Sequence, residues 1–281
     1  MKTNKKNVTK TALTILALFF FFSCSKDEEQ DKVQPGGIQV VANSRFGNIL
    51  TDAEGKTLYF FSNDTKATST CKGNCLATWP VYYSSQTSTD LKLDKNLIGE
   101  ITREDGAKQS TFKGWPLYYY AGDSQVGQVN GDAMNKIWYV AKPDYLLMIA
   151  NGQLIGHDGK NYLGDYSEGI GPTSYLTDDK GRTLYAFKPD KFNKNTYTAS
   201  DFSNDALWPI FQNETGSLPS LLRTDDMAVI NVFGRKQLTY KGWPLYYFGQ
   251  DQQRGDNKGV SFPKPGIWPV LNNTTTTAPT N

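Results

Sequence analysis

Four copies of one short motif recur along this chain, and they constrain its fold more than any other feature. Each copy reads Leu-Tyr-x-aromatic-x-x-Asp, and the copies begin at Leu58, Leu117, Leu184 and Leu245. A tryptophan follows each aspartate after 15 to 18 residues. Self-similarity of this kind means that one supersecondary unit is built several times within a single fold.

The copies also fall into two pairs, which indicates a tandem duplication of a two-motif unit. Copies one and three share a lead-in, residues 50–57 and 176–183, and copies two and four begin with Lys-Gly-Trp-Pro. The motif residues are Tyr59, Phe61, Asp64, Tyr118, Tyr120, Asp123, Tyr185, Phe187, Asp190, Tyr246, Phe248 and Asp251, and the repeat tryptophans are Trp79, Trp115, Trp138, Trp208, Trp243 and Trp268.

The motif has the pattern of a strand that is buried on both faces. Alternate residues of a strand share a face, so Tyr59 and Phe61 point one way and Leu58 and Phe60 the other. Glycine-containing turn sequences separate these short runs. We therefore predict an all-β chain of two pseudo-symmetric halves, residues 38–145 and 146–271, with four antiparallel meander repeats in a sandwich-like or propeller-like body. The threonine-rich tail, 272–281, is predicted to be disordered.

Two interpretations of the motif aspartates remain open at this point. Each aspartate lies where its strand ends, so its carboxylate can accept backbone N–H groups and fix a turn. Alternatively, the four carboxylates meet at one rim of the fold and bind a cation or another ligand.

These residues resemble bacterial secreted-repeat lipoproteins, a family described by a Tyr-x-(Phe/Trp/Tyr)-x-x-Asp motif. The similarity covers nearly all of residues 45–271. The resemblance implies a secreted lipoprotein, and because the family is one of unknown function it supplies no activity and no catalytic residues.

The N-terminus has the features of an export signal. Lysines precede an apolar run, residues 12–22, that is too short to span a bilayer as a helix. Ser23-Cys24 resembles a lipobox, which predicts a signal peptide at residues 1–23, a lipidated Cys24 and a flexible linker at 24–37. An ordinary signal peptide with a later cleavage site is the alternative.

The segment that follows Cys24 bears on where the protein is displayed. Residues 25–29, Ser-Lys-Asp-Glu-Glu, resemble an acidic signal that sends lipoproteins to the outer face of the outer membrane. The predicted location is the outer membrane, lipid-anchored through Cys24 and exposed at the cell surface, with the periplasmic face as the alternative. A solvated charged tether is the other interpretation of this segment.

Charge and residue counts exclude several classes of function. Removing residues 1–23 leaves 30 − 4 = 26 basic against 28 acidic side chains, so the mature surface has no bias toward nucleic acid. The single histidine, His157, lies in a turn sequence and excludes a multi-histidine metal site within the chain. We predict no cofactor, no metal and no nucleic-acid partner.

Cys71 and Cys75 are the cysteines that remain when Cys24 carries the lipid. A pair in an exported protein predicts a disulfide, and a redox dithiol or metal site is the alternative. The chain shows no nucleophile elbow, phosphate-binding loop or dinucleotide motif. We therefore predict no catalytic residues and a non-enzymatic binding or structural module with an unknown protein or glycan partner.

Two alternative functions stay open. The first is a glycan binder that stacks sugars on exposed tyrosines and tryptophans, for which Trp115 and Trp243 must line an open groove. The second is a redox or metal-binding protein centred on Cys71 and Cys75.

Overall fold

The computed structural model describes residues 1–3, 34 and 36–280. Cys24, most of the predicted signal peptide and most of the predicted linker lie outside the described residues. The strands of the described part are β1 (Gln39–Asn43), β2 (Gly47–Thr51), β3 (Tyr59–Phe61), β4 (Ile98–Thr102), β5 (Lys108–Phe112), β6 (Trp115–Tyr118), β7 (Trp138–Val140), β8 (Met148–Ile155), β9 (Asn161–Tyr162), β10 (Pro172–Thr177), β11 (Met227–Val232), β12 (Arg235–Tyr240) and β13 (Trp243–Pro244).

Helical structure is short and confined to connections. The helix α1 spans Cys75–Thr78, and four 3₁₀ turns span Lys95–Leu97, Met134–Lys136, Thr224–Asp226 and Lys258–Ser261. The strands form antiparallel sheets, and no sheet in the described part of the chain closes into a barrel. The all-β prediction is confirmed.

The largest sheet is built around the motif strands of copies one and two. Its order is β4-β5-β6-β3-β7, so β3 lies between β6, which ends in copy two, and β7, which begins at Trp138. Tyr59 pairs with Tyr118 on one side and with Val140 on the other. The motif strand is therefore central, as its sequence predicts.

The two faces of β3 pack in different parts of the core. Tyr59 and Phe61 belong to one hydrophobic cluster, and Leu58 and Phe60 belong to another. All four are buried. The alternation of side chains along a strand thus places apolar groups in two layers at once, which confirms the predicted burial on both faces.

The second half repeats this arrangement with less regular strands. Tyr185 pairs with Tyr246 and with Val270 through isolated bridges, as Tyr59 pairs with Tyr118 and Val140. The β12–β13 hairpin pairs Tyr240 with Trp243, and the β5–β6 hairpin pairs Phe112 with Trp115 in the same register. The two-fold internal symmetry predicted from the duplication is present.

The halves share a core. One hydrophobic cluster contains Phe60 and Trp115 from the first half and Tyr185 and Trp208 from the second. The residues from Gln34 to Asn281 accordingly form one compact unit.

Residues 272–280 differ from the predicted disordered tail. The Lys241 Nζ donates to the carbonyl oxygens of Asn273 and Thr275, both at 2.9 Å, and Ala278 is buried. This segment buries little apolar surface, but its backbone carbonyls accept hydrogen bonds from the side chains of Lys241 and Trp243 at the start of copy four.

The end of the predicted flexible linker is also held in place. The Gly36 N–H donates to the Thr89 Oγ1 at 3.1 Å. Gly37 has a φ of 61°, and a Cβ there would lie 2.6 Å from the carbonyl oxygen of Gln86, so this close approach requires glycine.

Among the residues that the structure describes, no helix combines the length and apolar character needed to cross a bilayer.

Candidate functional site

The motif tyrosines and aspartates pair reciprocally between neighbouring copies. The Tyr59 hydroxyl of copy one donates to the Asp123 carboxylate of copy two. In return, the Tyr118 hydroxyl of copy two donates to the Asp64 carboxylate of copy one, at 2.6 Å. Each copy therefore supplies a hydroxyl that donates to the motif carboxylate of the other.

The second half contains the same exchange. The Tyr185 hydroxyl donates to the Asp251 Oδ2 at 2.6 Å, and the Tyr246 hydroxyl donates to the Asp190 Oδ2 at 2.7 Å. Sequence similarity relates copy one to copy three, whereas physical contact relates copy one to copy two. The motif is thus a device that locks two adjacent copies together.

The second oxygen of each aspartate fixes the loop that follows its strand. The Asp64 Oδ1 accepts both the backbone N–H and the hydroxyl of Thr70, at 2.7 Å each, and the Asp190 Oδ1 accepts the same pair from Thr196. In copies two and four, the aspartates accept backbone N–H groups of Asn130 and Lys258. This matches the turn-fixing interpretation, and the tyrosine partners are the addition that the sequence did not reveal.

Four aromatic side chains stack through the centre of each half. In the first half, Trp138 lies between Trp79 and Phe61, with ring centroids 3.8 and 4.0 Å apart and interplanar angles of 2° and 8°. Tyr120 extends the stack beyond Trp79 at 4.6 Å. The equivalent series in the second half is Phe187, Trp268, Trp208 and Phe248, with the two tryptophans 3.6 Å apart.

The two tryptophans that open copies two and four are both engaged within the fold, and Trp115 does not line an open groove. Trp115 is only 1% exposed, lies under the Arg254 guanidinium at 4.1 Å, and donates its Nε1–H to the carbonyl of Asp179. Trp243 is half-buried and donates to the carbonyl of Thr276. The open stacking surface that a glycan would need is absent at Trp115. Arg254, the first residue of an Arg-Gly-Asp triplet, is used within the fold.

The Cys71–Cys75 pair forms the predicted disulfide, with Cα atoms 5.4 Å apart. Cys71 is 1% exposed and lies in the same cluster as the tryptophan stack. The corresponding loop of the second half is held by Asn195, whose Nδ2 donates to the Gln237 Oε1 at 2.8 Å. Within the described residues, no group of three or more His, Cys, Asp and Glu side chains is placed to hold a metal ion.

A cavity lies beside the lead-in turn of copy one. Its volume is about 390 Å³, and its charged lining residues are Asp52, Glu54, Lys56 and Asp123. The rings of Tyr119 and Tyr120 also contribute to its wall. This cavity brings motif residues of copy two next to the turn of copy one, and it is the candidate binding site.

The carboxylate of Asp52 holds this site in shape. Its Oδ1 accepts the backbone N–H groups of Glu54 and Lys56 at 3.0 and 2.8 Å, and its Oδ2 accepts the Tyr119 hydroxyl at 2.9 Å. The turn and the aromatic wall are therefore tied to one buried group. Asp52 lies outside the four-copy motif, and the sequence indicated it only as part of the lead-in that copies one and three share.

A comparison with protein-family models matches three segments of the chain, residues 40–82, 99–142 and 227–272, to a secreted repeat of unknown function. These three segments belong to this secreted-repeat family. No curated protein and no solved structure matches it significantly. Copy three of this secreted repeat lies outside the matched segments, but its Tyr185 and Asp190 make the contacts seen in the other copies.

Burial perturbs three of the motif carboxyls of this secreted repeat. Removal from water raises the pKa of Asp64 and of Asp251 from the ordinary 3.8 to about 6, against the lowering effect of the tyrosine hydrogen bonds. The same cause raises the pKa of Asp190. Each folded carboxyl therefore holds a proton at a pH where the unfolded chain has lost it.

We expect the Asp64 and Asp251 carboxyls to increase the free energy of unfolding as the pH falls from 7 to about 4. Between the folded pKa of about 6 and the unfolded value of 3.8, the folded state binds the extra protons, so each group contributes about 1.4 kcal/mol per pH unit. The gain is complete below the unfolded pKa and is lost as the pH rises through 6. Denaturant titrations at several pH values measure it.

The Asp64→Asn/Asp251→Asn double variant is the control, because amides do not titrate. Its unfolding free energy should change less over the same range, and the difference between the two profiles isolates these two groups from the exposed acids. A wild-type profile parallel to that of the variant would contradict the raised pKa values.

Proposed function

We propose that this secreted repeat is a lipid-anchored, non-enzymatic binding module displayed on the outer surface of the outer membrane. The observation that carries the proposal is the reciprocal Tyr–Asp exchange, which directs the polar groups of all four motif copies to one another. Groups that satisfy each other inside the fold hold its shape and are not available as acids, bases or nucleophiles.

The remaining candidates for chemistry support the same conclusion. His157 is exposed in a turn, and its nearest aromatic neighbour is Phe262, with ring centroids 5.4 Å apart. Cys71 and Cys75 are joined in a disulfide, which favours a structural role over a redox or metal-binding one. We therefore propose that the activity of this protein is binding. The ligand binds in surface cavities that form around the repeats.

Anchoring is supported by the order of features at the N-terminus. The basic and apolar segments precede Ser23-Cys24, and the folded unit begins at Gln34. A lipid on Cys24 would hold the unit close to the membrane by a short polar segment. The acidic residues 27–29 favour export to the outer surface.

The experiment is metabolic labelling of the full chain with a clickable fatty acid in a Gram-negative host. We expect labelling and detergent-phase partitioning for the wild-type chain and for the Cys71→Ser/Cys75→Ser variant, and neither for Cys24→Ala. The double variant is a matched control, because it removes two cysteines and keeps the proposed lipidation site. Labelling of Cys24→Ala, or no labelling of the wild type, would disprove the anchor.

Protease added to intact cells tests the side of the membrane. We expect the folded unit to be accessible without permeabilisation. Digestion only after the outer membrane is opened would place the protein on the periplasmic face and overturn surface display.

A further inference from the structure

The cavity beside the lead-in turn of copy one is negatively charged. Asp52, Glu54 and Asp123 contribute three carboxylates and Lys56 contributes one ammonium group, a formal balance of 1 − 3 = −2 at pH 7. Tyr119 and Tyr120 are half-buried, so part of each ring remains accessible. Carboxylates beside an aromatic ring form an environment that suits an organic cation.

The second half contains the same arrangement, in which one aspartate joins the lead-in turn to a tyrosine ring. We call this arrangement the frame, and its second copy serves as an internal comparison. The Asp178 Oδ1 accepts the backbone N–H of Arg182 at 2.8 Å, and its Oδ2 accepts the Tyr247 hydroxyl at 2.8 Å. The corresponding bonds from Asp52 to Lys56 and Tyr119 are 2.8 and 2.9 Å long. The two turns and the two rings are therefore held in the same way.

The frames differ in the cation at one position. In the second half, the Arg182 guanidinium lies over the Tyr247 ring, with its central carbon 3.8 Å from the centroid. In the first half this position is Lys56, whose Nζ lies 3.6 Å from the Glu54 Oε2 instead. The second half thus supplies a guanidinium to its own tyrosine, whereas the first half does not supply one to Tyr119.

The wall next to this ring also differs between the halves. Tyr120 is half-buried, but its counterpart Phe248 is fully buried, with the Phe262 ring at 5.3 Å. The first-half frame is therefore the more accessible of the two.

We propose that the first-half cavity binds a guanidinium group from outside the chain, stacked on Tyr119 and facing Glu54 and Asp123. This deepens the proposed function by naming the ligand class of the binding module, and it rests on that function. The ligand occupies the place that Arg182 takes in the second half. The group belongs either to an arginine side chain of a peptide or to a free guanidino compound.

The Lys56–Glu54 contact does not block this site. The two side chains are 57% and 77% exposed, and exposed pairs of this kind contribute little to stability. The ammonium group can move away on ligand binding, and Glu54 then faces the incoming cation.

Ligand-observed NMR on the purified full chain tests the proposal, with N-acetyl-L-arginine amide as the probe. We expect a Kd of about 1 mM or tighter, as suits a single exposed cation–aromatic contact with carboxylate support. N-acetyl-L-lysine amide has the same charge and should bind at least about fivefold more weakly, because an ammonium lacks the planar face of a guanidinium. Equal affinities, or no binding of the arginine probe, would overturn the assignment.

Two variants locate the site. Lys56→Arg gives the first half the guanidinium of the second and should weaken probe binding at least about tenfold by covering Tyr119. Glu54→Gln should weaken it about threefold by removing one facing charge. Lys160→Arg makes the same exchange at an exposed lysine paired with Glu168 elsewhere and should leave the Kd unchanged. Full-strength binding by Lys56→Arg would overturn the site.

A short end-capped peptide with one central arginine among uncharged residues distinguishes a peptide ligand from a free guanidino compound. Tighter binding than the amide assigns a peptide, equal binding assigns a free guanidino compound, and both support the site. Because these measurements use purified protein, a failure here leaves membrane anchoring untouched, and a failure of fatty-acid labelling leaves the binding result untouched.

Discussion

Replacing Trp138 with alanine should lower the free energy of unfolding by about 3–5 kcal/mol, a large share of the stability of an ordinary domain. The indole is 2% exposed and lies between Trp79 and Phe61, with the Tyr118 ring packed edge-on at 5.1 Å. Its removal leaves a cavity that stacked rings cannot collapse to fill. Chemical denaturation followed by far-ultraviolet circular dichroism measures the loss.

Trp243→Ala is the matched control for this prediction. Trp243 is half-buried at the edge of the fold and loses one hydrogen bond to the carbonyl of Thr276, so its replacement should cost about 1–2 kcal/mol. Trp268→Ala, the counterpart in the second half, should cost as much as Trp138→Ala. A cost near that of Trp243→Ala at position 138 would show that the stack is not central to stability.

Asp64→Ala should be about as destabilising, with a loss of roughly 3–5 kcal/mol. The carboxylate is fully buried and accepts three hydrogen bonds, from the Tyr118 hydroxyl and from the backbone and side chain of Thr70. Without it, the buried Tyr118 hydroxyl loses this acceptor, which costs about 1–3 kcal/mol, and the loop at Thr70 loses the two hydrogen bonds that fix it.

Two further variants define what the Asp64 result means. Tyr118→Phe removes one donor and keeps the carboxylate bonded to Thr70, so about 1–2 kcal/mol is expected. Asp225→Ala removes a carboxylate that is 83% exposed and should change the free energy of unfolding by less than about 0.5 kcal/mol. If Asp64→Ala were neutral or stabilising, the carboxylate would be retained for a ligand and not for the fold.

The reciprocal Tyr–Asp hydrogen bonds distinguish residues that the fold requires from residues that can differ between the two halves. Motif side chains must match between adjacent copies, since each tyrosine bonds the aspartate of the other copy. Lead-in positions such as Lys56 and Arg182 lie outside this exchange. A difference there alters what the surface binds without disturbing the core, and the guanidinium proposal rests on such a difference.

The sequence by itself determined the fold class and the internal repetition of this protein. Alternation within Leu58–Phe61 was enough to predict a strand buried on both faces, because side-chain direction along a strand follows from local geometry alone. The spacing of the copies predicted the two-fold duplication, and the pair of cysteines left beside Cys24 in a chain with an export signal predicted the Cys71–Cys75 disulfide. Each of these inferences depends on residues that are close in the chain or identical between copies.

Only the tertiary structure decided which side chains distant in the chain form hydrogen bonds with one another. Tyr59 and Asp123 are 64 residues apart, and nothing local states that copy one bonds copy two and not its closer relative, copy three. The tail was predicted to be disordered because its threonines bury little, yet its carbonyls face donors that copy four leaves at an edge. The access to the Tyr119 ring likewise depends on whether the side chain of the lead-in turn covers it, as Arg182 covers Tyr247 in the second half. Such outcomes are set by long-range packing, in which a group acquires its partner only after the chain between them has folded.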